Sequence, residues 1–188
     1  MQRFLRSLSF LALVFARPSP AAAEPWKAIP FTLRDLSGTP HALADYKGKV
    51  VVLEFFASWC SSCAASVKGL NLLAKQYPAH VVVVAVSTSE DDPQGLPGFV
   101  KELKPEYTVL VDDTDRVGRQ YRVVAFPSYF VIDPKGIVRA SQEGSVEWSD
   151  PRNLKRLESM FDGSDVPGEV PVETPMPVTT VSLAPDLR

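Results

Sequence analysis

VVLEFFASWCSSC, residues 51–63, joins a nearly unbroken apolar run to both cysteines of the chain, which stand two residues apart directly behind Trp59. An apolar run without alternation is the pattern of a strand covered on both faces. Over residues 60–76 the apolar positions Val67, Leu70, Leu73 and Ala74 recur at helical spacing, and Pro78 ends the pattern. A helix therefore follows the strand at once. A strand ending in Trp59 would deliver Cys60 to the helix N-terminus, with Cys63 one turn further in.

Cysteines at i and i+3 at the start of a helix share a face and can bridge without distortion. As a structural staple the bridge would do little: closing four residues contributes about 2 kcal/mol on the loop-entropy model, against about 5 for a loop of 100. As a redox pair the placement has a purpose. Unpaired N–H groups and the dipole at a helix N-terminus favour an anion, which lowers the thiol pKa of Cys60 and makes it the nucleophile. Cys63, expected to be more buried, suits attack on a mixed disulfide. A zinc site would want four ligands, and the chain adds only His41 and His80, neither near the pair in sequence. Two thiolates could still hold copper(I). The segment DTDRVG, residues 113–118, has the look of a calcium loop, but Val117 cannot ligate by side chain and Val124 stands at position twelve; helix capping explains its aspartates better.

Outward from the cysteines, FTLRDLSGTPHALADYKGK (residues 31–49) predicts a β-hairpin turning at Ser37, Gly38 and Thr39. VVVVAVS (81–87) predicts a second buried strand, followed by the loop SEDDPQGLPG and a helix around 99–104. YTVLV, ending at Val111, is a third strand, and DDTDRVGRQY supplies a short helix ending near Tyr121. YFVID from Tyr129, the turn Pro134, Lys135, Gly136, and IVRA from Ile137 form a second hairpin. A last helix is expected over about 150–161, with Leu154 and Leu157 inward. Alternating strands and helices bracketed by hairpins describe a three-layer α/β domain with a mixed sheet, helices on both faces and an N-terminal hairpin.

At its start the chain carries Arg3 and Arg6, an apolar run over 8–16, and the small residues Ala21, Ala22 and Ala23. This reads as a secretory signal cleaved after about Ala23; the run falls short of the roughly 20 residues that a spanning helix needs. No direct membrane insertion of the mature chain is expected. Cleavage would leave 17 basic against 22 acidic residues, a net charge of −5. An acidic surface without a basic block argues against nucleic acid as a partner. The domain then spans 24–162. The segment 163–188 contains five prolines and no periodic pattern, and reads as a disordered Pro-rich tail. Export would put the cysteine pair where disulfides persist.

VVLEFFASWCSSC, FPSYFVID (126–133) and the upstream KGK (47–49) resemble the thioredoxin-like superfamily, in its exported TlpA-like or redoxin branch, over about residues 28–162. The resemblance implies a thioredoxin fold and marks Cys60, Cys63, Glu54 and Pro127 as catalytic and Trp59 and Phe126 as substrate-binding. Pro127 matches the family's cis proline, and by analogy the backbone of Phe126 would pair with an extended segment of the substrate. Glu54 aligns with a buried acid six residues before the first cysteine. Burial would raise its pKa and fit it to shuttle the proton of Cys63; otherwise it sits at a strand end and pairs with Lys47 or Lys49. The chain departs from the pattern in having Ser61 and Ser62 between the cysteines, where many relatives have proline second, and in Ala125 and Phe126 before the cis proline.

The function implied is a periplasmic thiol–disulfide oxidoreductase that reduces disulfides of client proteins, by resemblance apocytochrome c or a copper-site assembly protein. It would need no organic cofactor and would draw electrons from a membrane-bound thiol donor. The rivals are a disulfide oxidase or isomerase of opposite poise and a copper(I)-binding chaperone. A peroxiredoxin would need a threonine where Ala57 stands.

Overall fold

The computed structural model describes residues 26–162 apart from 89, 90 and 93. The expected signal segment and the expected tail lie outside the described residues. Eight strands form one sheet: β1 (Trp26–Lys27), β2 (Thr32–Asp35), β3 (Pro40–Ala42), β4 (Val50–Phe56), β5 (Val81–Thr88), β6 (Thr108–Asp112), β7 (Ser128–Ile132) and β8 (Ile137–Glu143). Four helices connect or follow them: α1 (Ser61–Gln76), α2 (Gly95–Leu103), α3 (Arg116–Gln120) and α4 (Pro151–Glu158). The strand order is β1-β8-β7-β4-β5-β6-β2-β3. β4, β5 and β6 run parallel, and β7 lies antiparallel to β4 on its other side.

Every residue of β4 is buried, as its continuous apolar run requires. Side chains still alternate. Val51, Leu53 and Phe55 enter one core layer with Val86, Tyr121 and Phe130. Val50 and Val52 enter the opposite layer with Leu70 and Leu73 of α1, Trp148 and Leu157. Each buried leucine of α1 is worth about 2 kcal/mol in apolar transfer, so α1 is held to the sheet by its inward stripe. The same alternation turns Glu54 and Phe56 toward the α1 side.

Both hairpins form as the turn residues predict. β2 pairs with β3, and β7 with β8 across Pro134, Lys135 and Gly136. Gly136 takes φ 84°, a left-handed conformation that costs glycine little, and Asp133 accepts the N–H groups of Lys135 and Ile137 at 2.9 Å each.

Several boundaries differ from the sequence expectation, among them α4, which ends at Glu158 instead of near 161. β4 ends at Phe56, so residues 57–59 form the turn into α1, and Trp59 lies in that turn instead of ending the strand. α2 begins at Gly95, before Pro97, and ends at Leu103 instead of covering 99–104. A proline in the first turn costs no hydrogen bond, because the N–H groups there have no intrahelical partner. One aspartate of residues 112–115 caps a helix: Asp112 accepts the N–H groups of Arg116, Val117 and Gly118 at 2.8–3.1 Å, whereas Asp115, at the N-cap position within the segment expected to cap, makes no side-chain cap bond.

Candidate active site

The chain leaves β4 toward β5 and β6 on one side and returns to β7 on the other. The reversal falls at the carboxyl end of β4, the usual place for a site in such sheets. Register does the rest. Phe55 pairs with Ser128, so Pro127 stands beside the turn that carries Trp59 and Cys60. The Phe126–Pro127 peptide bond is cis, as the resemblance implies.

Cys60 is the N-cap of α1 and forms a disulfide with Cys63, with Cα atoms 5.3 Å apart. Cys63 N donates to Cys60 Sγ at 3.2 Å, and Ser62 Oγ lies 3.2 Å from the same sulfur. No acidic side chain occupies the first turn of α1. The N–H group, the hydroxyl and the helix N-terminus favour negative charge on this sulfur, and the apolar packing around it opposes them. In this oxidised state both residues are buried, Cys60 at 6% exposure and Cys63 at 1%, packed with Phe56, Ala57 and Leu96. Cys63 is the deeper of the two.

The contact with Ser62 has a measurable consequence. In the reduced protein, Ser62→Ala should raise the Cys60 thiol pKa by about one unit, the worth of one hydrogen bond to a charged group. Thiolate absorbance followed against pH measures it, and an unmoved midpoint means that the hydroxyl does not serve the thiolate.

Trp59 is 62% exposed, and its ring meets that of Phe126 edge-on at 5.9 Å. Val124, 81% exposed, extends this apolar surface along the loop that leads to Pro127. The turn beneath is tied down by a feature that sequence reasoning missed. Buried Asp91 accepts hydrogen bonds from Ser58 and, at 2.7 Å, from Ser87. The β5–α2 segment comes so close that a Cβ on Gly95 would fall 2.8 Å from Ser58 Oγ.

Glu54 lies in mid-strand at 2% exposure and does not pair with Lys47 or Lys49; Lys49 donates instead to the Pro78 carbonyl at 3.1 Å. Tyr129, directly opposite Glu54 in the β4–β7 register, donates from its hydroxyl to Glu54 Oε1 at 2.9 Å. Ser66 Oγ donates to the same oxygen at 2.9 Å. Burial pushes the Glu54 carboxyl up to about 7, while these two hydrogen bonds pull the other way. The Tyr129 phenol is itself pushed up, by burial first and then by the charge of Glu54. Ser66 was legible as a residue one turn after Cys63 on the same helix face; Tyr129 was not, because only the strand register brings it there.

The two histidines lie elsewhere. His41 bonds to Asp35 and Tyr46 at 3.1 and 3.2 Å, and His80 stacks on Phe161. Among the described residues no group of three His, Cys, Asp or Glu side chains could hold a metal ion.

Residues 26–141 match the AhpC/TSA family. The chain belongs to that family. Thioredoxin-like protein YneN of Bacillus subtilis is 30% identical over 125 residues, covering 65% of this chain and 73% of the relative. Thiol-disulfide oxidoreductase ResA of Geobacillus kaustophilus is 31% identical over 121 residues, covering 64% and 69%. Among solved structures, a putative thiol:disulfide interchange protein DsbE from Chlorobium tepidum superposes with TM-score 0.64 at 30% identity, covering 76% of this chain and 98% of that one. The fold is that of thioredoxin, and this family member is a thiol–disulfide oxidoreductase whose cysteine pair is Cys60 and Cys63. Ala57, where a peroxiredoxin would need a threonine, is fully buried and offers no hydroxyl.

Proposed function

We propose that this protein is an exported, periplasmic reductase of client-protein disulfides. The Cys60 thiolate attacks a client disulfide and releases one client sulfur, leaving Cys60 joined to the other. Cys63 then gives up its proton, attacks Cys60 Sγ and releases the second client sulfur, so the client gains two electrons and the Cys60–Cys63 bridge forms. A membrane-bound thiol donor resets the pair. Trp59, Phe126 and Val124 offer an apolar rim to an unfolded or extended client segment, and the backbone of Phe126, next to cis Pro127, holds that segment against Cys60. The fitting clients are proteins whose cysteines must be reduced before they take up haem or copper.

The observation that carries the two-step exchange is Glu54, and the reduction potential tests its reductive direction. A thiol as buried as Cys63 needs a proton acceptor to resolve the mixed disulfide, and a carboxyl pushed up to about 7 beneath α1 is half ionised near neutrality. Export rests on Arg3, Arg6, the apolar run and Ala21 to Ala23; among the described residues no helix is long and apolar enough to cross a membrane.

An oxidase or isomerase is the second reading, favoured by the Ser62 contact, since stabilising the Cys60 thiolate makes the disulfide more oxidising. The reduction potential decides between them. A value near that of thioredoxin, about −270 mV, supports the reductase, whereas one near that of the strong oxidant at about −120 mV overturns it.

A further inference from the structure

The proposed cycle needs Glu54 charged before resolution and neutral after it, and one neighbouring hydroxyl has a different partner to satisfy in each state. Ser66 Oγ lies 2.9 Å from Glu54 Oε1 and 2.7 Å from the carbonyl oxygen of Cys63. A serine hydroxyl carries one proton and can fully serve one acceptor at a time. While Glu54 is ionised, its carboxylate is the stronger acceptor and takes the Ser66 proton. Once Glu54 is protonated, its own O–H can donate to Ser66 Oγ, and Ser66 is free to turn its proton onto the Cys63 carbonyl one helical turn back.

We propose that Ser66 is a positioning residue for the resolving step: it holds the Glu54 carboxylate ready to receive the Cys63 proton and lets go by rotating onto the Cys63 carbonyl when that proton arrives. The inference rests on the proposed role of Glu54. In the step itself the proton passes from Cys63 Sγ to Glu54. The new thiolate forms a bond to Cys60 Sγ, the Cys60–client S–S bond breaks, and its electron pair leaves on the client sulfur, which is protonated by water.

Among the described residues, Ser66 of α1 and Tyr129 of β7 bond to Glu54, and Tyr107 stands just before β6, its phenol pushed up by burial first and by the Glu54 charge second. Cys63 lies one turn before Ser66 on α1 and is joined to this group through its carbonyl. Burial and the hydroxyls of Ser66 and Tyr129 account for the shift at Glu54, with no charged side chain contributing. Tyr129 donates to the same oxygen from the neighbouring strand β7 and also interacts with the Ser66 hydroxyl, but the bond to the Cys63 carbonyl is made by Ser66. Ser66 alone of the two is tied to both the carboxyl and the resolving residue.

The test uses the full chain with Ser66→Ala, Ser66→Thr and Glu54→Gln. Two quantities are followed against pH: the carboxyl titration of Glu54 by carbon NMR in the reduced protein, and the rate of mixed-disulfide resolution in a single turnover. Ser66→Ala should move the Glu54 midpoint upward by about one pH unit, the loss of one hydrogen bond to a charged group. The rising limb of resolution should move by the same amount, and Ser66→Thr should restore both. An Ala variant whose two profiles superimpose on the parent's overturns the proposal. So does a shifted carboxyl midpoint with an unshifted resolution limb, which would leave Ser66 a purely structural partner. Glu54→Gln separates the layers: if it abolishes the limb while Ser66→Ala does not move it, only the role of Ser66 fails. If Glu54→Gln keeps the limb, the reading of Glu54 fails and takes the inference with it.

Discussion

Cys63→Ser is expected to stop the cycle at the mixed disulfide, with turnover reduced by at least about 10³-fold and the client covalently held on Cys60. The asymmetry follows from where α1 begins. Cys60 is the N-cap residue, its sulfur faces the Cys63 N–H and the Ser62 hydroxyl, and no first-turn acid opposes a negative charge there. Cys63 lies one turn inside, at 1% exposure against 6% for Cys60, and is the deeper of the two. With Cys63 replaced, Cys60 can still attack, but nothing in the chain can expel the client sulfur, and release must wait for an external thiol. Incubating reduced variant with a disulfide-bearing protein such as insulin, then resolving the products by mass without a reducing agent, reads the adduct directly. Cys60→Ser should give none. An adduct that forms as readily on Cys60→Ser would make Cys63 the attacking residue and reverse both roles.

Glu54→Gln should make the fold markedly more stable in alkali and leave it nearly unchanged in acid. The folded-state pKa of Glu54, about 7, lies above its ordinary value of 4.5, because burial disfavours the charge. Between those two values the native state keeps a proton that the unfolded chain has released, so stability falls as pH rises. The favourable condition is complete below about 4.5 and gone above about 7. At 1.36 kcal/mol per unit the loss amounts to roughly 3 kcal/mol. Glutamine cannot ionise, and its amide oxygen can still accept from Ser66 and Tyr129. The variant should therefore gain roughly 3 kcal/mol over the parent at pH 8, worth on the order of 10 °C in Tm, and almost nothing at pH 4.5. Asp35 and Asp150, held low mainly by hydrogen bonds from Ser37 and Arg152, act in acid equally in both chains and cancel in the difference. Urea unfolding at pH 4.5, 6 and 8 measures the gap; parallel stability curves for the two proteins would falsify a raised Glu54. In activity the sign is opposite, since the same substitution removes the acceptor for the Cys63 proton and slows resolution.

The expected gain in stability from removing Glu54 is itself informative. A carboxyl that costs the fold roughly 3 kcal/mol at neutral pH is the kind of residue kept for chemistry, and its two hydroxyl partners reduce the cost without removing it.

Much of this arrangement is legible in the chain. Residues 51–57 read as a doubly covered strand because the run is nearly unbroken in apolar residues, and β4, Val50–Phe56, is buried throughout. α1 reads as a helix on Val67, Leu70 and Leu73, which do face the core. The turn residues at 37–39 and 134–136 mark two hairpins that form. Each signal is local, resting on a period of 2 or 3.6 or on turn chemistry over a few residues. The redox pair is local as well, since i and i+3 at a helix start brings the sulfurs together whatever else the fold does.

What escaped is non-local or context-dependent. Pro97 looks like the end of a loop, and only the structure puts it in the first turn of α2, where it is harmless. Trp26 and Lys27 form an edge strand only because β8 is there to pair with them. Asp91 joins Ser58 across 33 residues of chain to brace the turn before Cys60. Nothing in the sequence around any of these positions announces its partner.

By itself, then, the sequence determined which segments are strands and helices and that two thiols meet at a helix start, because periodicity and i,i+3 spacing act within a single element. Tertiary structure alone decided that Glu54 is buried between Ser66 and Tyr129 instead of paired with a lysine, and that the Phe126 ring meets Trp59 beside the cysteine pair. Both depend on the register of β7 against β4 and on the exclusion of water by α1, and a carboxyl's pKa is set by whatever the fold gathers around it.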